Sequence, residues 1–360
     1  MSRRVAAGVI LSIAAGLIII GGAYLWFPAF RWGPVKHYAG PVEKITIGTD
    51  RTGTNALLWI ARTRGYDQEQ GLELAIKNYQ AGRDAVRDLK AGRLDLACCA
   101  EFALVSEILA GAADLRCLVA ISSGEIDELI ARRDKGINRP EDLRGKSIGV
   151  PRTTSAEFFL GKFLTFNQIA LKDVTIVNVN PFDLAEALAA GKVDAVLIWE
   201  PITYEIIKKM GPNAIAWPAQ EGQDFYWLLV GQEEYIKRNP GTIERLLQAL
   251  AQAADFIKRQ PEAAREIMAQ WMQVPLADLQ IAKYPKRYEL FLDQALLLAM
   301  EDEARWMMRH KLTEQTRLPD FLDYFYAAPL AKILPQGVHI IIPRGENRNG
   351  PDLPGTGQGR

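Results

Sequence analysis

Two short polar segments, about a hundred residues apart, hold the side chains with the clearest capacity for ligand chemistry. Thr52-Gly53-Thr54 precedes one apolar segment and Thr153-Thr154-Ser155 precedes another. Each segment supplies hydroxyl groups at the start of a predicted helix, where backbone N–H groups lack helical partners and the helix dipole attracts anions. Arg51 and Arg152 occupy matching positions and are able to add charge-assisted hydrogen bonds. The pattern predicts an anion site; the alternative is that Thr and Ser only cap their own helices.

A second pair of loops follows a predicted strand in each half of the chain. Cys98-Cys99-Ala100-Glu101 ends one strand and Ile198-Trp199-Glu200-Pro201 ends the other. Because ligands of parallel sheets bind at the carboxyl ends of strands, Cys99, Ala100, Trp199 and Glu200 are predicted to join the same site, with Trp199 as an apolar wall. Alternatively, the two glutamates are helix-start carboxylates and the two cysteines are small buried residues.

The sequence lacks the motifs of common catalytic sites. It contains no HExxH, GxxxxGK[ST] or GxGxxG pattern, and its three cysteines have no metal-type spacing. The GxSxG match at Gly145–Gly149 begins a predicted strand, whereas the nucleophile elbow of hydrolases lies between a strand and the helix that follows it. The histidines, His37, His310 and His339, lie near the ends of the chain, so the predicted site lacks the commonest acid–base group near neutral pH. We therefore predict a protein that is not an enzyme and that holds neither a cofactor nor a metal.

The elements that carry these loops occur twice. Ile47–Thr54 aligns with Ile148–Ser155, and some 40 residues later Leu89–Asp95 aligns with Leu188–Asp194. Since order and spacing are both kept, one β-α-β-α-β unit is predicted to form each of two lobes, with a ligand cleft between them. The alternative is that strand–loop–helix patterns resemble each other in any α/β protein.

The predicted fold is therefore α/β and two-lobed. Residues 43–132 and 226–343 are assigned to lobe 1, and residues 133–225 to lobe 2. Phe225–Val230 is predicted to be a strand that returns to lobe 1, and amphipathic helices, including Leu290–His310, are predicted between Pro240 and His310. Residues 344–360, rich in Gly, Pro and Asn, are predicted to be a disordered tail.

The balance of charges and the amino-terminal segment limit which partners and which location we expect for the chain. Lys and Arg together number 43, as do Asp and Glu, and no run of Lys and Arg exceeds two residues, which argues against a nucleic-acid partner. Residues 1–32 contain an apolar run from Val5 to Phe27 after Arg3 and Arg4. This pattern predicts a transmembrane anchor with the arginines in the cytoplasm; a cleaved signal peptide is the alternative. Both place the rest of the chain outside the cytoplasm.

Over about residues 43–330 the chain resembles the solute-binding proteins of ABC importers in the nitrate, sulfonate and taurine group, which includes binders of thiamine-pyrimidine precursors. The most specific run is Asp142–Val150, with the sequence DLRGKSIGV. The further matching segments are Gly65–Leu74, Ala91–Asp95, Ala190–Ala195 and Trp199-Glu200-Pro201.

The resemblance implies a periplasmic-binding-protein fold with two hinge crossovers, which closes around a small anionic or zwitterionic solute and delivers it to ABC permease and ATPase subunits. The ligand loops carried over by position are Thr52-Gly53-Thr54, Cys99-Ala100, Ser122-Ser123, Thr153-Thr154-Ser155 and Trp199-Glu200. Asp50 either pairs with an amine of a taurine-like ligand or is a solvated loop carboxylate. Two alternatives remain. One is an anchored sensor or accessory subunit. The other is an enzyme similar to the pyrimidine synthases, because the pair Cys98-Cys99 partly matches the cysteine-rich run of those enzymes.

Overall fold

The computed structural model describes residues 38–279 and 287–341. The predicted anchor in residues 1–32 and the predicted tail in residues 344–360 lie outside the described residues. Within the described ranges, no helix combines the length and the apolar character that crossing a bilayer requires.

In the described residues, ten strands form two sheets of five strands each. The strands are β1 (Glu43–Thr49), β2 (Leu72–Asn78), β3 (Leu96–Ala100), β4 (Leu115–Gly124), β5 (Asp127–Arg132), β6 (Ser147–Val150), β7 (Thr175–Asn178), β8 (Ala195–Trp199), β9 (Ala214–Pro218) and β10 (Phe225–Gln232). The first sheet has the order β2-β1-β3-β10-β4 and the second has the order β7-β6-β8-β5-β9. In each sheet three parallel strands are followed by an antiparallel fourth. The two-sheet α/β architecture predicted from the sequence is confirmed.

Helices lie between and after these strands. The α-helices of the described residues are α1 (Ala56–Arg64), α2 (Tyr66–Glu69), α3 (Gly82–Lys90), α4 (Glu101–Leu109), α5 (Ser155–Phe166), α6 (Leu184–Ala189), α7 (Ile202–Met210), α8 (Glu233–Arg238), α9 (Pro240–Arg259), α10 (Pro261–Met272), α11 (Leu276–Leu279), α12 (Gln294–Arg309) and α13 (Ala328–Ile333). Strands β3, β4 and β8 are buried along their whole length, as expected where elements cover both faces of a sheet.

The duplicated sequence motif makes the same hydrogen bond in both lobes. Asp95 accepts from the backbone N–H of Thr46 at 2.7 Å, and Asp194 accepts from that of Ser147 at 2.9 Å. Each aspartate thereby joins the start of its lobe's third strand to its first strand. The repeat in the sequence is thus a repeat of local structure, not a general likeness between α/β proteins.

The chain changes sheets twice, at Glu125–Ile126 and at residues 219–224. The first change comes earlier than the predicted lobe boundary at residue 132, because Asp127–Arg132 pairs with β8 and β9 of the second sheet. Two buried strands, β4 and β5, are separated there by only two residues. The crossover itself is marked in the sequence by the polar residues and the glycine of Ser122–Glu128, whereas the predicted boundary lies at the charged residues that follow Ala131.

The side chain of Gln220 joins the two crossovers. Its Oε1 accepts from the backbone N–H groups of Ile126 and Asp127, and its Nε2 donates to the carbonyl oxygens of Gly124 and Gln223. Gln220 is 1% exposed. A buried amide with all of these bonds holds the two connections at a fixed separation.

The carboxyl-terminal part of the described chain returns to the first sheet. Phe291 bridges to Ala120 of β4, so the helix predicted from Leu290 begins only at Gln294, where Asp293 caps it by accepting from Leu296 N–H. The mismatch arises because the apolar run from Leu290 to Leu292 packs against β4 as extended chain.

Helix α12 also reaches the second lobe. Its Trp306 lies edge-on to Phe158 of α5, with ring centroids 5.6 Å apart. Aromatic packing between α5 and α12 therefore supports the two lobes against each other beside the cavity described below.

Candidate ligand-binding site

A cavity lies between the two sheets and encloses about 390 Å³ of space that protein atoms do not fill, part of it open to solvent. Residues from both sheets and from the first crossover line it. They are Asp50, Thr52, Thr54, Ala81, Gly82, Arg83, Ala100, Ala103, Ile126, Thr154, Ser155, Trp199, Phe225 and Trp227. Residues at or after the carboxyl ends of β1, β2, β3, β6 and β8 all contribute, as the rule for parallel strands predicts.

The starts of four helical segments meet at this cavity. The short 3₁₀ turn before α1 and the helices α3, α4 and α5 begin directly after Thr52, Ala81, Ala100 and Thr154 respectively, and no side chain of these four residues caps its helix. The first backbone N–H groups of a helix have no carbonyl partner within the helix. The cavity is thus surrounded by backbone donors and by the positive ends of helix dipoles.

The threonine hydroxyls bond to groups other than their helices. Thr52 Oγ1 donates to Asp50 Oδ1 at 2.7 Å, and Thr154 Oγ1 donates to the carbonyl oxygen of Pro151 at 2.6 Å. The capping alternative considered from the sequence therefore does not describe these two side chains.

Arg83 reaches from one lobe to the other. It lies in the first turn of α3, and its Nη1 donates to the carbonyl oxygen of Arg152 in the loop after β6. Its Nε is buried without a hydrogen-bond partner, and the nearest carboxylate oxygen, Asp84 Oδ1, is 3.8 Å away. A buried N–H of a charged guanidinium is costly to leave unbonded, and Arg83 is one of the residues that line the cavity.

The Arg152 loop is held in an unusual backbone conformation. Thr153 has φ of +57°, in the left-handed region that residues other than glycine seldom adopt. Glu157 fixes the loop by accepting from Thr153 N–H at 2.7 Å and from Arg152 Nε at 2.8 Å. These bonds direct the Arg152 guanidinium away from the cavity and turn its carbonyl oxygen toward Arg83.

Asp50 is the acidic group among the lining residues and is 3% exposed. Its Oδ1 accepts from Thr52 N–H at 3.1 Å, from Thr52 Oγ1 at 2.7 Å and from Asn55 Nδ2 at 2.9 Å. Burial raises the pKa of Asp50 to about 6, although these hydrogen bonds favour the ionised form. At pH 7 the cavity therefore contains a carboxylate whose negative charge is partly stabilised by hydrogen bonds from its own loop.

Asn55 connects the Asp50 loop to the aromatic wall. Its Oδ1 accepts from Trp227 Nε1 at 2.8 Å and also from Thr49 Oγ1. Ser122 Oγ completes this side of the site by donating to the carbonyl oxygen of Thr54 at 3.0 Å. The indole of Trp227 is thus held in one orientation beside the cavity.

The predicted site residues divide into two groups. Those that line the cavity are Asp50, Thr52, Thr54, Ala100, Thr154, Ser155 and Trp199. Those that lie beside it without lining it are Gly53, Cys99, Ser122, Ser123, Arg152, Thr153 and Glu200. Glu200 accepts from the backbone N–H of Tyr204 in α7 at 3.3 Å, and Cys99 packs beneath Gly82.

Two further carboxyls lie behind the cavity wall. Glu101 is fully buried and accepts from the backbone N–H of Tyr226 at 2.9 Å. Burial raises the pKa of Glu101 to about 8 and that of Asp127 to about 7. Burial also raises the pKa of all three cysteine thiols, so that none of them is a thiolate at neutral pH.

Sequence reasoning missed the donor and the aromatic residues that complete the lining. Arg83 follows the second strand of lobe 1, whose carboxyl end lies at the same sheet edge as those of β1 and β3; this shared edge is the signal that identifies it. Phe225 and Trp227 come from β10, which pairs with β3 more than 120 residues away along the chain. Periodicity within one segment carries no information about that pairing.

Comparison with known proteins agrees with this architecture. The family described as NMT1/THI5 like matches residues 54–264. A Brucella abortus protein whose name proposes a binding protein is 29% identical over 61% of this chain and 69% of its own length. A Bacillus subtilis protein whose name proposes binding of aliphatic sulfonates is 24% identical over 63% of this chain and 69% of its own.

Among solved structures, the alkanesulfonate-binding protein SsuA of Xanthomonas axonopodis pv. citri, bound to MOPS, matches with a TM-score of 0.70 and 20% identity. The match covers 81% of this chain and 100% of that protein. The two-sheet fold is that of the periplasmic binding proteins.

Proposed function

This chain belongs to the NMT1/THI5-like family, and from that premise we propose that it is the solute-binding component of an ABC-type importer. Its ligand is a small anionic or zwitterionic molecule, of the class of sulfonates, taurine or nitrate, held between the lobes. The observation that carries the proposal is the convergence of helix starts from both lobes with the unpartnered Arg83 Nε at one cavity. The name of the Bacillus subtilis relative supports a sulfonate.

The chemistry of the lining favours an oxyanion. A sulfonate, nitrate or carboxylate has several acceptor oxygens, and the backbone donors at the starts of α3 and α5 meet them from the two lobes. Arg83 adds a charge-assisted hydrogen bond from Nε. The apolar side of the cavity, with Trp199, Phe225 and Trp227, suits a short hydrocarbon portion of the ligand.

Binding without catalysis is the second part of the proposal. The lining residues include neither a histidine nor a cysteine, and burial keeps the nearby Cys99 thiol protonated. The cavity thus has donors that hold an anion but lacks an activated nucleophile. This supports a receptor over an enzyme of the pyrimidine-synthase kind.

Ligand-driven closure follows from the position of Arg83. Its bond to the Arg152 carbonyl joins the two lobes, and the ligand contacts proposed for both lobes exist together only when the lobes are closed. A ligand that binds the closed form better shifts the population toward it. We assign lobe 1 to the first sheet and lobe 2 to the second, with the hinge at Glu125–Ile126 and at residues 219–224.

The location proposed for the chain is extracytoplasmic. The apolar run from Val5 to Phe27 supports attachment to the cytoplasmic membrane, where an ABC permease with its ATPase subunits would take up the ligand. Membrane fractionation of the full chain, compared with a chain that lacks residues 1–32, tests the anchor directly.

A thermal-shift screen of the purified full chain tests the function. Alkanesulfonates, taurine, nitrate, bicarbonate, small carboxylates and aminopyrimidines form the panel. We expect one class to raise the melting temperature saturably, because only ligands that prefer the folded state stabilise it. Arg83→Gln should weaken that ligand by about tenfold to a hundredfold, the loss of one charged hydrogen bond. If no class raises the melting temperature, the proposed function is wrong.

A further inference from the structure

The carboxylate of Asp50 is placed where a receptor for a simple anion has no use for it. We infer that Asp50 is the specificity-determining residue that binds a protonated amine, so that the ligand is a zwitterion with an ammonium group at one end and an acidic group at the other. This inference rests on the proposed function and narrows its ligand class.

The bonding of Asp50 leaves one oxygen for a ligand. All three hydrogen bonds that its side chain accepts end on Oδ1, and they come from Thr52 and Asn55 of its own loop. Within the part of the chain that the structure describes, no Lys or Arg pairs with this carboxylate. A buried carboxylate without a cationic partner is stabilised strongly by one, and an ammonium group supplies both the charge and the donors.

The two charges of the lining are complementary to a zwitterion. Arg83, in the turn that begins α3, carries the positive charge of the cavity, and Asp50, in the loop after β1, carries the negative charge. A plain anion bound at Arg83 would be repelled by ionised Asp50 in a cavity of low dielectric constant. An amine on the same ligand turns that repulsion into attraction.

The aromatic lining is consistent with the same ligand. Trp227 lies beside the Asp50 loop and is fixed by its bond to Asn55, and Trp199 approaches from the other lobe. Indole rings attract ammonium groups and also pack against methylene groups. The cavity lining thus combines an acidic side chain, a basic side chain and apolar rings.

Isothermal titration of the full chain with pairs of compounds that differ only in the amine tests the inference. The pairs are 2-aminoethanesulfonate with ethanesulfonate and 3-aminopropanoate with propanoate. In the wild-type protein we expect the amine to improve Kd by at least tenfold within the pair that binds. Asp50→Asn keeps the size of the side chain and an acceptor at Oδ1. In this variant the ratio of the Kd without the amine to the Kd with it should fall to within about twofold. Asp183→Asn, an exposed carboxylate outside the cavity lining, should leave the ratio unchanged.

The outcomes separate this inference from the proposed function. Equal or tighter binding of the compounds without an amine by the wild-type protein overturns the zwitterion and leaves the receptor in place. An unchanged ratio in Asp50→Asn shows that another group reads the amine and also overturns the inference. Binding of neither pair, and of no other panel compound, overturns the proposed function. The wild-type comparison needs no variant and is independent of any effect of substitution on folding.

Discussion

Replacing Asp50 by Asn should stabilise the empty protein at neutral pH. Burial raises the pKa of Asp50 from 3.8 to about 6, so the folded state binds this proton more tightly than the unfolded state does. Stability due to this group therefore falls as pH rises from about 4 to about 6 and stays low above that range. A difference of about two pKa units corresponds to about 3 kcal/mol. The Asn variant has no charge to bury and should avoid that loss.

Urea denaturation of the full chain between pH 4 and pH 8 measures the effect. The quantity of interest is the unfolding free energy of Asp50→Asn minus that of the wild-type protein, since Glu101 and Asp127 also titrate but contribute to both. We expect the difference to be at most about 3 kcal/mol at pH 7.5 and to shrink toward pH 4. Arg83 of the lining and the neighbouring Cys98 thiol keep their charge states over this range. A variant less stable than the wild type at pH 7.5, or a difference independent of pH, would refute the reasoning.

Two further substitutions test the framework of the site. Gly82→Ala would place a methyl group 2.6 Å from Cys99 Cα, so we expect a loss of about 1–3 kcal/mol in stability and weaker ligand binding. Gly241→Ala, in a helix and with open space around it, is the matched control and should show no loss of stability in thermal denaturation. Gln220→Ala leaves buried donors and acceptors of both crossovers unbonded, and should lower the unfolding free energy by about 2–4 kcal/mol in urea denaturation. Unchanged stability in either variant contradicts its assigned role.

The loops of the candidate site were predictable where the chain repeats itself. Thr54 and Thr154 were found because an identical order of strand, polar loop and helix occurs twice, and both line the cavity. The motif aspartates Asp95 and Asp194 were part of the same signal, and both bond to the first strand of their lobe.

Other features depend on contacts that one segment of sequence does not reveal. Arg83 is a basic residue in the first turn of a helix, as many are; its position after β2 is the one signal in the sequence, and its bond to the Arg152 carbonyl is visible only in the structure. Trp227 depends on the pairing of β10 with β3 and β4. The first crossover was predicted too late, at the charged residues after Ala131, although the polar segment Ser122–Glu128 interrupts the apolar pattern earlier; only the pairing of β5 with β8 and β9 shows which of the two breaks is the crossover.

The bonds of Gln220 bear on how many shapes the molecule can take. The side chain of Gln220 is hydrogen-bonded to both connections between the lobes, so a backbone rotation in one connection also displaces the other. We therefore expect the two connections to move together when the lobes open. A distance measured between spin labels on the two lobes should accordingly fall into two narrow populations, one for the loaded and one for the empty protein, without a broad spread between them.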